Sequence, residues 1–152
     1  MKRSIACLIP CFNESKNLEI LCKEINNNNF KHIDWYIINN GSIDVNSLEF
    51  QDIIKKYITI KNFYIFNIKK NNGYGFGIKN CFKKIAKKYD LICWTHADGQ
   101  TPISDVVRAY KIYLTKTNID LIKGIRISRK DGIVATIFTA VLNIFLTILL
   151  NR

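Results

Sequence analysis

Three side chains that could bind a cation occupy alternate positions in the middle of the chain. The apolar run Leu91 to Thr95 leads into His96, Asp98 and Gln100, which offer an imidazole, a carboxylate and an amide oxygen. In an extended segment, alternate side chains point the same way, so these groups would face one ion. Hard oxygen ligands favour Mg²⁺ or Mn²⁺, and the imidazole shifts the preference toward Mn²⁺. The alternative is a polar loop in which His96 caps a neighbouring backbone group.

Two other polar segments follow apolar runs earlier in the chain. Residues 10–14 (Pro-Cys-Phe-Asn-Glu) come after the run Ser4 to Ile9, and residues 39–44 (Asn-Asn-Gly-Ser-Ile-Asp) come after Trp35 to Ile38. Taken alone, each segment is an ordinary turn signal. If the preceding runs are parallel strands of one sheet, all three loops open onto the edge where ligands of such sheets bind.

Apolar periodicity predicts strands and helices that alternate along the chain. Strands are expected at residues 4–9, 35–38, 58–68, 91–95 and 120–123, and helices at 13–25, 47–56, 78–88 and 103–114. This alternation implies crossover connections and a mainly parallel sheet flanked by helices, an α/β fold.

The composition is that of a folded, basic protein. The 152 residues are 48% hydrophobic and carry a formal net charge of +11, which calls for nucleic acid, an anionic membrane or a phosphorylated ligand as partner. The lysines between residues 79 and 88 have the spacing of a solvated helix face. The lysines and arginines between residues 116 and 130 precede an apolar tail and fit a membrane or a phosphate. Nucleic acid is disfavoured, because Phe82 and Tyr89 are expected in the core or at an edge of the fold.

The five cysteines show neither a CxxC pair nor zinc-ligand spacing. Those at positions 7, 81 and 93 lie in apolar runs, where cysteine behaves as a small hydrophobic residue. The apolar run near the amino terminus is cut off by Pro10 and is interpreted as a strand rather than a signal peptide. A reducing, cytosolic compartment is therefore expected.

The segment Ile133 to Leu150 is apolar apart from three threonines and Asn143. At roughly eighteen residues it is at the lower limit for a membrane span, and a helix buried in protein or lying in the membrane interface is equally compatible. We predict two regions, a folded domain at residues 1–132 and an apolar helix at residues 133–152. Further sequence is expected after Arg152, because a domain seldom ends on an unshielded apolar helix.

Taken in order, these motifs resemble those of family 2 glycosyltransferases of the GT-A fold, particularly the branch that makes polyprenyl- or dolichyl-phosphate sugars. Five motifs of that family match, at residues 10–14, 39–44, 71–75, 96–100 and 123–126. The resemblance covers essentially the whole chain. It departs from the family pattern at Asn39 and His96, each of which stands where the family has an aspartate.

The resemblance implies a role for each motif. The residues that would line the nucleotide site are Pro10, Phe12, Glu14, Asn39 and Ser42. The residues that would hold Mg²⁺ or Mn²⁺ against the diphosphate are His96, Asp98 and Gln100. Asp98 and Arg126 would take part in catalysis, and Arg126 with Arg129 would meet phosphate on the donor or on a lipid acceptor.

The expected function is transfer of a sugar from a nucleotide-sugar donor to a polyprenyl phosphate or a glycan, with a membrane surface but no nucleic acid as partner. A phosphate acceptor is already an oxyanion and needs no general base, whereas a sugar hydroxyl needs a carboxylate that is not evident after Arg129. The basic stretch before the apolar helix fits the cytoplasmic face of a membrane, with the cytoplasm as the other option. The alternative is a catalytically incomplete fragment that acts as a nucleotide-sugar or membrane binding module.

Overall fold

The computed structural model describes residues 4–27, 32–45, 47–116 and 119–124, together with residues 137, 141 and 144. Two compact units are present, Met1–Asn118 and Ile119–Arg152. In the second unit the described residues 119–124 form neither helix nor strand, so the strand predicted at 120–123 was wrong. Within the described part of the chain, no helix is long and apolar enough to cross a membrane.

Four apolar segments of the first unit form one parallel sheet. Strand β1 spans Ile5–Cys11, β2 spans Ile33–Asn40, β3 spans Phe63–Ile68 and β4 spans Leu91–Trp94. The strand order is β3-β2-β1-β4, and every pair is parallel. Every residue of β1 is buried, as expected for a central strand covered on both faces. The predicted α/β fold with a mainly parallel sheet is confirmed.

Helices cover both faces of this sheet. They span Ser15–Asn27 (α1), Ser47–Tyr57 (α2), Tyr74–Ile85 (α3, followed by a 3₁₀ turn at Ala86–Lys88) and Ile103–Thr115 (α4). Because successive strand residues point to opposite faces, β1 contributes to two cores. Ile5, Cys7 and Ile9 pack with α1, α2 and α4, whereas Ala6 and Leu8 pack with α3.

The two neighbours of β1 pair with it over different lengths. The β1–β2 pairing continues to Cys11, whereas the β1–β4 pairing ends at Leu8, where the Thr95 N–H donates to the Leu8 carbonyl at 3.1 Å. Pro10, which has no N–H to donate, lies in the part of β1 that β4 leaves unpaired. The chain order also reverses between β1 and β4, and ligands of parallel sheets bind outside the carboxyl ends of the strands at such a point.

The starts of β3 and α3 differ most from those expected from the sequence. β3 begins at Phe63 rather than at residue 58, because the Ile58 N–H donates to the Ile54 carbonyl at 2.8 Å and prolongs the end of α2. Helix α3 begins at Tyr74 rather than at residue 78, and glycines in its first turn obscured the apolar periodicity. Phe82, expected in the core or at an edge, is 47% exposed on α3.

All five cysteines are free, and four of them are buried. Burial raises the pKa of the Cys22 thiol to about 12 and that of the Cys81 thiol to about 11. These thiols stay protonated at neutral pH and pack as small apolar groups, as the sequence indicated.

Gly41 lets the loop after β2 pass directly against the loop after β3. Its φ of 73° is left-handed, and a Cβ there would collide with the main-chain nitrogen of Asn71 and lie 2.7 Å from the Lys70 carbonyl carbon. Gly99 has the same φ of 73°, but a Cβ there would meet no atom within 4 Å. Comparing a substitution at Gly41 with one at Gly99 therefore separates the cost of steric collision from the cost of backbone strain.

We expect Gly99→Ala to lower the free energy of unfolding by about 1 kcal/mol, the cost of a left-handed alanine. Gly41→Ala should cost about 3 kcal/mol, because the collision adds to the same strain. Urea unfolding followed by circular dichroism measures both values. Equal losses in the two variants would show that the contact between the loops is not tight.

Candidate functional site

A cleft of about 360 Å³ opens at the carboxyl ends of β1 and β4, at the point where the strand order reverses. Its walls come from the ends of β1 and β2, from the loops after β1, β3 and β4, and from the start of α3. The described residues that line it are Pro10, Cys11, Phe12, Glu14, Asn40, Asn71, Tyr74, His96, Ala97 and Asp98. Segments far apart in the sequence thus meet at one edge, as the parallel sheet predicts.

Asn13 joins the loop after β1 to the loop after β2. Its backbone is left-handed, with φ of 57°, and its N–H donates to Ser42 Oγ at 3.2 Å. Its side-chain Oδ1 accepts from the N–H groups of Ile43 at 2.9 Å and Asp44 at 3.4 Å. The Ser15 N–H at the start of α1 donates in turn to Asp44 Oδ2 at 3.0 Å. These bonds fix the wall of the cleft that carries Pro10, Phe12 and Glu14.

The carboxylate of Asp44 is stabilised in its charged form by this arrangement. Partial burial acts to raise its pKa, but hydrogen bonds from Ser15 and nearby backbone N–H groups outweigh burial, and the pKa lies below its ordinary value. Asp44 therefore remains ionised at neutral pH and continues to accept the Ser15 N–H at the start of α1.

The structure separates Asn39 from Asn40. Asn39 is buried, and its Oδ1 accepts the Ser42 N–H at 3.0 Å, so Asn39 shapes the turn and is not among the residues lining the cleft. Ser42 also lies off the cleft wall, where its Oγ accepts the Asn13 N–H. The side chain that reaches the cleft from this loop is that of Asn40.

Asn40 is held between the sheet and the first turn of α3. It is 2% exposed, its Nδ2 donates to the Gly73 carbonyl at 3.2 Å, and its Oδ1 has no protein partner. A Cβ at Gly77 would lie 2.7 Å from this Oδ1, so only glycine at 77 lets α3 pack so close. This oxygen is buried against α3, so its unpaired state is a cost borne by the fold and not a contact open to a ligand.

His96 and Tyr74 form an aromatic pair at the mouth of the cleft. Their rings stack with centroids 5.3 Å apart and an interplanar angle of 17°. Burial raises the pKa of the Tyr74 phenol, and the nearby Asp98 carboxylate raises it further, so the phenol stays neutral. Stacking on Tyr74 gives the His96 ring a defined orientation. His96 is therefore more than a cap for a neighbouring backbone group, the alternative considered from the sequence.

The proposed cation ligands are only partly brought together. His96 and Asp98 are exposed and line the cleft, but Gln100 is not among the lining residues. The Gln100 N–H donates to Asp98 Oδ1 at 3.0 Å, and Gly99 is left-handed, so the segment turns instead of continuing extended. The alternation argument therefore fails beyond Asp98. Over the described residues, no group of three or more His, Cys, Asp or Glu side chains could hold a metal ion.

The donor set nevertheless fits a divalent cation that keeps other ligands. Asp98 and His96 supply one carboxylate and one imidazole to the cleft, which Glu14 also lines, and Mg²⁺ or Mn²⁺ commonly takes its remaining oxygens from substrate phosphates and water. Such a cation would therefore require the substrate to complete its coordination.

Two of the predicted phosphate-contacting residues lie outside the described part of the chain. Arg126 and Arg129 fall outside the described residues, as does most of the segment 133–150, so their roles stay predictions. Cys11 lines the cleft, but burial and, secondarily, the Glu14 carboxylate raise the pKa of its thiol, which rules it out as a nucleophile at neutral pH.

Besides Cys11 and Ala97, sequence reasoning missed three residues with amide or phenol side chains that line the cleft, namely Asn40, Asn71 and Tyr74. The position of Asn40 at the end of an apolar run is shared by its neighbour Asn39, and the alternation of side chains along a strand was the signal that separates them. Asn71 and Tyr74 belong to a motif recognised in the sequence, but no chemistry was assigned to it.

Comparison with known proteins identifies a family. The sequence matches the model described as glycosyl transferase family 2 over residues 6–139. No curated protein matches the sequence significantly.

Two solved structures are similar in fold. The mannosyltransferase PcManGT from Pyrobaculum calidifontis, in complex with GDP-Man and Mn²⁺, aligns with a TM-score of 0.61 and 11% identity, covering 78% of this chain and 34% of that one. S. aureus TarS 1–349 aligns with a TM-score of 0.50 and 13% identity, covering 73% and 33%. The chain thus spans about a third of the length of each. At such identities the likeness shows the fold alone.

We expect Asn13→Ala to lower the free energy of unfolding by about 2–3 kcal/mol, because it removes two hydrogen bonds and strains a left-handed residue. Asn13→Gly keeps the backbone relaxed and should cost about 1–2 kcal/mol. Chemical denaturation measures the difference between them. A loss below the level of one hydrogen bond in both variants would contradict the role given to the amide.

Proposed function

This chain belongs to glycosyl transferase family 2, and we propose that it transfers a sugar from a nucleotide-sugar donor bound in the cleft to a polyprenyl phosphate. The observation that carries the proposal is the meeting of Phe12, Asn40, His96 and Asp98 around one cleft at the switch point of the sheet. The cleft combines an aromatic ring with an imidazole and a carboxylate, which match a base and a metal-bound diphosphate.

The base of the donor is assigned to the wall formed by the loops after β1 and β2. The Phe12 ring is 42% exposed and offers an apolar face for stacking. Asn40 also lines the cleft, but its Nδ2 donates to the Gly73 carbonyl and its Oδ1 is buried against Gly77. The stacking face therefore carries the assignment, and such a face accepts any nucleobase. PcManGT, which shares the fold, was solved with GDP-Man.

The diphosphate is assigned to the opposite wall, beside Asp98 and His96. These two residues would hold Mg²⁺ or Mn²⁺, which, when bound, neutralises the charge that develops on the leaving nucleoside diphosphate. The backbone N–H of Gln100 holds one oxygen of Asp98 in place and leaves the second oxygen for ligand binding. Arg126 and Arg129 are proposed to contact phosphate on the donor or on the lipid acceptor.

The reaction itself is a displacement at the anomeric carbon. An acceptor oxygen forms a bond to that carbon as the bond to the diphosphate oxygen breaks, and the nucleoside diphosphate leaves. A polyprenyl phosphate supplies an oxyanion, so no protein group needs to remove a proton. Glu14 Oε2 accepts a hydrogen bond from Asn17 Nδ2 at 2.5 Å, which fixes this carboxylate at the start of α1. A polyprenyl acceptor also places the protein at the cytoplasmic face of a membrane.

Donor binding is tested by thermal stabilisation with UDP-, GDP- and CMP-linked sugars in the presence of Mn²⁺. We expect at least one of these donors to raise the melting temperature, and the GDP-linked sugars are tested first because PcManGT was solved with GDP-Man. Transfer is then measured with the stabilising donor, radiolabelled in its sugar, and polyprenyl phosphate. A folded protein that none of these donors stabilises would support the alternative of an incomplete transferase fragment.

Asp98→Ala should remove the Mn²⁺-dependent part of donor binding, a loss of at least tenfold in affinity, equivalent to about 1.4 kcal/mol. His96→Asp should preserve or strengthen that binding, because it adds a second carboxylate to the cleft. Titration calorimetry of the stabilising donor, with and without Mn²⁺, measures both effects.

Asp52→Ala, which removes an exposed carboxylate on α2 that does not line the cleft, is the matched control and should bind the donor like the wild type. If Asp98→Ala transfers sugar at the wild-type rate, the site lies elsewhere.

A further inference from the structure

The outward side of α3 is strongly basic and carries two exposed phenylalanine rings. We call this the α3 surface; its residues, all exposed, are Phe76, Lys79, Phe82, Lys83, Lys84, Lys87 and Lys88. No Asp or Glu occurs between Tyr74 and Tyr89. The opposite side of the helix packs on the sheet through Gly77, Cys81 and Ile85.

The arrangement differs from that of an ordinary solvated helix face. Phe76 is 39% exposed and Phe82 is 47% exposed, so both rings present apolar area to solvent among positive charges. Phe76, Lys79 and Lys83 are spaced by three and four residues, which places them on one side of the helix. A helix face that combines lysines with exposed aromatic rings is typical of segments that lie on a membrane.

We propose that the α3 surface binds the surface of an anionic lipid membrane. Its lysines would be attracted to the anionic headgroups, and the two phenylalanine rings would enter the boundary between headgroups and acyl chains. The binding itself follows from charge and exposure; its use in delivering a polyprenyl phosphate rests on the proposed function.

Anionic lipid fits this surface better than nucleic acid does. All of its cationic residues are lysines, which act as point charges, and none is an arginine able to form a bidentate contact with phosphate or guanine. The amide of Asn80, which could contact a base, donates to the Phe76 carbonyl at 2.8 Å. Lys84 Nζ lies 5.1 Å from the centre of the Phe66 ring, leaving the other lysines to meet a partner.

The surface adjoins the cleft through the helix itself. Tyr74, the first residue of α3, lines the cleft and stacks on His96, and Phe76 follows two residues later. A membrane bound along α3 would therefore lie close to the cleft at the amino-terminal end of this helix. An acceptor phosphate at the level of the headgroups would have a short distance to travel.

Sedimentation of the full chain with phosphatidylcholine vesicles, with and without phosphatidylserine, tests the proposal. We expect binding to the phosphatidylserine vesicles that weakens as salt is raised. The triple variant Lys79→Glu, Lys83→Glu, Lys87→Glu should bind on the order of a hundredfold more weakly, at roughly fivefold for each lysine removed. Phe76→Ser with Phe82→Ser should reduce the binding that remains at high salt by about tenfold.

The matched control reverses three exposed lysines on the helices that cover the other face of the sheet, Lys16→Glu, Lys55→Glu and Lys111→Glu, with the same change in net charge. This control should bind vesicles nearly as well as the wild type. Equal losses in the two triple variants would mean that net charge alone attracts the protein, and the α3 surface would not be a binding site. The proposal also fails if the wild type does not bind the phosphatidylserine vesicles.

Two further measurements separate the remaining outcomes. Tighter binding to random-sequence DNA than to the vesicles, lost in the α3 triple variant, would assign the surface to nucleic acid and overturn the proposal. Thermal stabilisation by the nucleotide sugars, which needs no lipid, is measured on the same variants. Vesicle binding without stabilisation would contradict the proposed function alone, and stabilisation without vesicle binding would contradict the α3 surface alone.

Discussion

The hydrogen bonding of Asn13 to the loop after β2 is the interaction on which the rest of the cleft depends. Side chains on separate loops work together only if the loops keep a fixed distance, and backbone groups in loops lack the regular partners of a strand or helix. Asn13 meets both requirements, because its main chain and side chain form hydrogen bonds with groups on the loop after β2. Asparagine is suited to this position because it tolerates the left-handed backbone at a smaller cost than most residues. Asp44 then extends the connection to the start of α1.

The sheet provides the space that these loops surround. A central strand that paired equally with both neighbours would close the crevice with hydrogen bonds. Here β4 stops pairing at Leu8 while β2 continues to Cys11, so β1 carries Pro10 and Cys11 beyond the β4 pairing and into the cleft wall. Helix α3 completes the wall from the other face of the sheet, and the lack of a side chain at Gly77 sets how closely it packs against Asn40. Backbone pairing and one small residue thus determine the width of the site.

The fold and the place of the site followed from the sequence, but the orientation of individual side chains did not. Buried strands and amphipathic helices have strong periodic signals, and parallel strands deliver their loops to one edge. Whether Asn39 or Asn40 faces the cleft depends on the register of β2, and the direction of Gln100 depends on a left-handed glycine at 99. The stacking of Tyr74 on His96 joins residues from distant segments, and it depends on helix α3 beginning at Tyr74, directly after the positive φ of Gly73. Local sequence patterns do not reveal such tertiary contacts.

The reactivity of the buried cysteines can be used to measure local opening of the fold. A thiol that is buried and protonated reacts with an alkylating reagent only when the structure around it opens, so the rate of modification measures the free energy of that local opening. Cys11 lies in the wall of the cleft, Cys22 lies within α1 and Cys81 lies on the buried side of α3. Their relative labelling rates, followed by mass spectrometry, would rank the rigidity of the cleft wall, of the α1 layer and of the α3 layer within a single unlabelled protein. Any occupant of the cleft would slow the first of these rates most.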